Sequence, residues 1–132
     1  TEALEADPKR VFLMGFSQGC IMSVAAGLTA PRKFAGIVGM SGRLLPGLES
    51  RIAPEQELRG LPVLIVHGTT DNVIRISFGR ELRDRLRALR VDLEYIEYPM
   101  AHHVSDESLE RVRAWLAARL DAQRDWRSKA AQ

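Results

Sequence analysis

The stretch Pro62–Val66, "PVLIV", constrains the fold most. It is an unbroken apolar run, rich in β-branched residues and bounded by glycine and proline. A strand with one wet face alternates apolar and polar residues. A run without alternation is covered on both faces, as in a parallel sheet. Parallel strands need long crossovers, usually helices. The rest of the sequence supplies them in turn. Val11–Met14 predicts a strand behind the Asp7-Pro8 turn, and Ile21–Leu28 a buried helix ending near Pro31. Phe34–Met40 predicts the next strand, and Leu93–Tyr98 a fourth. The segment 41–60, with Pro46, Gly47 and Pro54, predicts a long excursion with a short helix in it. Residues 1–132 are therefore read as one α/β domain, a parallel sheet of about four strands flanked by helices.

Two helices can be read in more detail. Ser77–Arg90 carries Phe78, Leu82, Leu86 and Leu89 on one stripe and five arginines elsewhere. Glu81 and Arg85 form an i,i+4 pair of favourable orientation. Ser105 predicts the cap of a last helix, whose buried stripe is Leu109, Val112, Leu116 and Leu120. The tail beyond Trp126 is expected to fray, and "TEALEAD" to be a short helix end.

Composition excludes several classes. Apolar residues make up 45% and charged residues 27%, a globular balance. The net charge of +2 gives no reason to expect nucleic acid; the arginines alternate with acids and lack an aromatic platform. No apolar run approaches the roughly 20 residues of a membrane span. The one cysteine, Cys20, forbids an internal disulfide and fits a reducing, cytoplasmic setting.

Chemistry enters at Gly15-Phe16-Ser17-Gln18-Gly19, between the first strand and the first helix. G-x-S-x-G at such a junction makes a turn so sharp that serine takes a strained backbone, and side chains at the flanking glycines would collide with neighbouring elements. The hydroxyl is lifted above the sheet. The free N–H groups of the helix start face developing negative charge, with the Gln18 N–H as oxyanion donor. A serine needs a base. "HGTTDNV" places Asp71 past the end of the clearest strand, and "YPMAHHV" places His102 and His103 past the fourth. Strand ends on one edge of a parallel sheet form a ligand crevice. Met40, Arg43 and Met100 lie near those ends as candidate substrate contacts, the methionines equally as core.

"GFSQG", "HGTTDNVI" and "YPMAHHVSDESLERVRAWL" together resemble, in order and spacing, the carboxylesterase/phospholipase group of serine α/β-hydrolases, relatives of acyl-protein thioesterases and dienelactone hydrolase. The resemblance implies Ser17 as nucleophile, His102 as base and Asp71 as the acid orienting the histidine. His102 holds the family position two residues after Met100, and His103 a variable neighbouring one. It implies hydrolysis of carboxylic esters or thioesters through an acyl-enzyme, small-molecule ester substrates, and no metal or cofactor. Cys20 stands where the family commonly has glycine. The strands that precede the nucleophile in the family, with their His-Gly loop and second oxyanion donor, have no counterpart before Val11. The resemblance thus implies the C-terminal part of the fold. Its nucleophile strand would leave an edge open to a second copy, and a homodimer or a catalytically inert fragment is the alternative reading.

Overall fold

A computed structural model describes the backbone of residues 10–131 and the side chains of residues 10–121; "TEALEAD" lies outside them. Strands β1 (Phe12–Phe16), β2 (Gly36–Met40), β3 (Pro62–Gly68) and β4 (Asp92–Tyr98) form one parallel sheet in the order β1-β2-β3-β4. Between them run α1 (Gln18–Thr29), the short α2 (Glu55–Leu58) and α3 (Ile76–Ala88), and α4 (Asp106–Ala131) follows β4. The excursion from Ser41 holds α2 and one 3-10 turn, Leu48–Arg51.

Alternation along the strands divides the core in two. Ile37, Val63 and Ile65 face α1 and α3, meeting Val24, Leu28, Leu82 and Leu86. Val38, Leu64 and Val66 face α4, meeting Val112 and Trp115. Val63, Leu64, Ile65 and Val66 are each fully buried, which is why β3 shows no alternation. Each such side chain contributes about 1.5–3 kcal/mol of burial.

Register places the strand ends together: Phe16 lies beside Met40, Met40 beside Val66, and Gly68 beside Tyr98. The loops at Ser17, Asp71 and His102 thus leave from one edge of the sheet.

Two expectations need correction. Arg85 does not pair with Glu81; it forms a two-pronged bond with Glu49, at 2.6 and 2.7 Å, because the carboxylate across the fork accepts both N–H groups. Leu109 is not buried but 46% exposed, and the buried stripe of α4 is Ser108, Val112 and Trp115. The helix is assigned as far as Ala131; nothing between Leu120 and Ala131 is glycine or proline. Ser105 does cap α4, its Oγ accepting the Ser108 N–H at 3.2 Å.

Candidate active site

Ser17 sits between β1 and α1 with φ 57 and ψ −115, a region L-residues rarely occupy. Its N–H donates to the Met40 carbonyl at 2.8 Å, tying the turn to the end of β2. A serine before a helix usually turns its Oγ onto the first N–H groups. Here the side chain makes no such cap. Gln18 opens α1, so its N–H has no carbonyl one turn back within the helix.

The flanking glycines are not equivalent. A Cβ on Gly15 would lie 2.2 Å from backbone atoms of Gly19, so β1 and α1 approach too closely for any side chain. A Cβ on Gly19 would meet nothing within 4 Å among the described residues. Among the described residues the expected collision is found at Gly15 and not at Gly19, which is exposed on the first turn of α1.

Asp71 follows β3 and is buried. Its Oδ1 accepts the N–H groups of Val73 and Ile74, both at 2.9 Å. Its Oδ2 accepts the Nδ1–H of His102 at 2.7 Å. Burial pushes the Asp71 carboxyl up, but the bonds from His102, Ile74 and Val73 outweigh it and hold the group below its ordinary value. With the proton on Nδ1, His102 Nε2 is left to accept the Ser17 hydroxyl at 2.9 Å. Alcohol, imidazole and carboxylate thus form one hydrogen-bonded chain.

Gly68 lets that chain close. A Cβ there would lie 2.1 Å from the Met100 carbonyl oxygen. Without one, the loop after β4 lies directly on the end of β3, where the Thr69 N–H donates to Tyr98 O and the Thr70 N–H to Met100 O. Phe16 packs its ring 4.9 Å from the His102 ring. Sequence reasoning passed over both residues. A glycine at a strand's carboxyl end was the available signal for Gly68; for Phe16 there was none beyond its place in the motif.

Other candidates fall differently. His103 is exposed. Met40 and Met100 are 7% and 4% exposed and pack in the α4-side core. Arg43 is partly exposed and holds its guanidinium 4.1 Å over the Phe78 ring, while its Nε is buried without a partner among the described residues. Cys20 is fully buried against Gly39 and Gly42, and burial pushes its thiol up to about 12, which suits packing and not reactivity.

A parallel sheet whose strand-to-helix turn presents a serine to a histidine and an acid defines the α/β-hydrolase class. Within it, the chain belongs to the phospholipase/carboxylesterase family, whose model matches residues 2–120. It is 36% identical over 116 residues to acyl-protein thioesterase 1 of Gibberella zeae, covering 86% of this chain and 49% of that protein. It is 40% identical over 114 residues to acyl-protein thioesterase 1 of Schizosaccharomyces pombe, covering 80% and 48%. The solved structure of Arabidopsis thaliana SOBER1 superposes with a TM-score of 0.78 at 29% identity, over 90% of this chain and 57% of that one. The chain spans about half the length of the curated relatives it matches. Among the described residues no helix is long and apolar enough to cross a membrane.

Proposed function

We propose that the chain carries the catalytic residues of a serine hydrolase acting on small carboxylic esters or thioesters, within a single domain spanning residues 1–132. The Ser17–His102–Asp71 hydrogen-bonded chain carries this reading. His102 Nε2 takes the hydroxyl proton as Ser17 Oγ bonds to the acyl carbon. The carbonyl pair moves onto oxygen, where the Gln18 N–H stabilises it. Collapse of the tetrahedral adduct expels the alkoxide or thiolate, which takes the proton from His102. Water repeats the sequence on the acyl-enzyme and releases the acid. Asp71 keeps the imidazole in the Nδ1–H tautomer and offsets its charge when protonated. Arg43, partly exposed just past the end of β2, is the side chain placed to contact the substrate near the crevice.

Ser17→Ala tests the reading. The full gene product should hydrolyse p-nitrophenyl esters and label stoichiometrically with a fluorophosphonate, and the variant should do neither. Retention of most activity in Ser17→Ala would reject it. The second reading is a self-associating or catalytically inert fragment. Among the described residues β1 pairs on one side only, with β2, which favours it, and a folded 132-residue chain that does not label would support it.

A further inference from the structure

The site holds a second imidazole that the chemistry above does not use. His67 is fully buried near the end of β3. Its Nε2 lies 2.7 Å from the Ile74 carbonyl oxygen, which can only accept, so Nε2 carries the proton and donates. The same nitrogen is 3.6 Å from Asp71 Oδ2, outside hydrogen-bond reach. The other nitrogen, Nδ1, has no partner among the described residues and faces α3. A Cβ on Gly79 would lie 2.7 Å from that Nδ1, so the ring fits beneath α3 only because position 79 has no side chain.

Ile74 is therefore held from two sides. Its N–H donates to Asp71 Oδ1, and its C=O accepts from His67. We propose that His67 is a positioning residue for Asp71, fixing the 71–74 turn through Ile74 so that Oδ2 stays directed at His102; this rests on the reading of Asp71 given above. Because the His67 proton is committed to a carbonyl, it does not compete for the carboxylate oxygen that His102 needs. Without the donor, the Ile74 carbonyl loses its buried partner and Ile74 keeps only its bond to Asp71.

The test uses geometry as a ruler. A glutamine amide reaches the place of Nε2, whereas an asparagine amide reaches only that of Nδ1. In the full gene product, His67→Asn and His67→Phe should lower kcat about 10- to 100-fold with KM little changed, and His67→Gln should stay within about 3-fold. The downfield imidazole proton of the His102–Asp71 bond should persist in His67→Gln and weaken in His67→Asn. Amide exchange at Val73 and Ile74 should rise only where the donor is lost. Equal kcat and equal exchange in the Gln and Asn variants would overturn the proposal, whether or not the Phe variant folds. The spectroscopic and exchange arms need no turnover. If the wild type fails to react with a fluorophosphonate, the function reading falls while these arms still decide the role of His67.

Discussion

Ser17 combines two things its residue type rarely combines: it precedes a helix, yet its Oγ is free of the helix. The turn that achieves this puts a non-glycine residue at φ 57, at a cost of about 1–3 kcal/mol met by the surrounding packing. Gly15 is the local condition. Gly15→Ala should destabilise by at least about 2 kcal/mol, because the obstructing atoms are backbone and cannot rotate away. Gly19→Ala should be neutral or stabilising by up to about 1 kcal/mol, since alanine is the better helix former and has room. Urea unfolding of the two variants checks the contrast, and equal losses would show that the crowding at Gly15 is misjudged. The motif gave both glycines the same weight, since spacing along a chain does not say which side of a turn is crowded. The order serine, acid, histidine and their places past strand ends could be read from sequence. The hold of His67 on Ile74 could not, because it depends on where a loop folds back.

Elements were legible where their apolar pattern was long and less so at their ends. β3 announced itself through burial on both faces. The expected stripe of α4 holds at Val112, which is buried, and at Leu116, which packs against the α4-side core, but not at Leu109; Ser108, Val112 and Trp115, at i, i+4 and i+7, are the fully buried positions. Trp115 packs edge-on against Phe12, 5.9 Å between ring centres, and anchors α4. Trp115→Ala should therefore cost about 3–5 kcal/mol. Leu109→Ala should stay within about 0.5 kcal/mol. Thermal and urea unfolding distinguish the two. Between α3 and β4, Glu97 accepts both prongs of Arg80, at 2.8 and 3.0 Å, and the Tyr95 hydroxyl at 2.8 Å. The Arg80 bonds, then the Tyr95 hydroxyl, outweigh burial and hold the Glu97 carboxyl at about 2, below its ordinary 4.5. A depressed folded-state value means the stabilisation is complete above the unfolded value and lost as pH falls through the folded one. Glu97→Gln should cost about 1 kcal/mol at neutral pH, the pair being partly exposed. The gap from wild type should close as pH falls from 4.5 to about 2.

At the scale of the molecule, the two edges of the sheet are built differently. β4, "DLEYIEY", carries Asp92, Glu94 and Glu97, matched by Arg119, Arg111 and Arg80 from α4 and α3. Charges along an edge discourage a further strand. β1, "FLMGF", carries no charge, and Met14 and Phe16 are 55% and 38% exposed. That is the composition of an interior strand. The described residues pair β1 on one side only, with β2. The unpaired N–H and C=O groups and the apolar side chains should therefore make the 132-residue chain associate with itself. Sedimentation velocity should show concentration-dependent association of that chain, and Met14→Lys, which brings to β1 the kind of charge β4 already has, should shift it toward monomer. If wild type and Met14→Lys sediment alike as monomers, the β1 edge is closed by contacts within the chain, and the self-association reading falls with it.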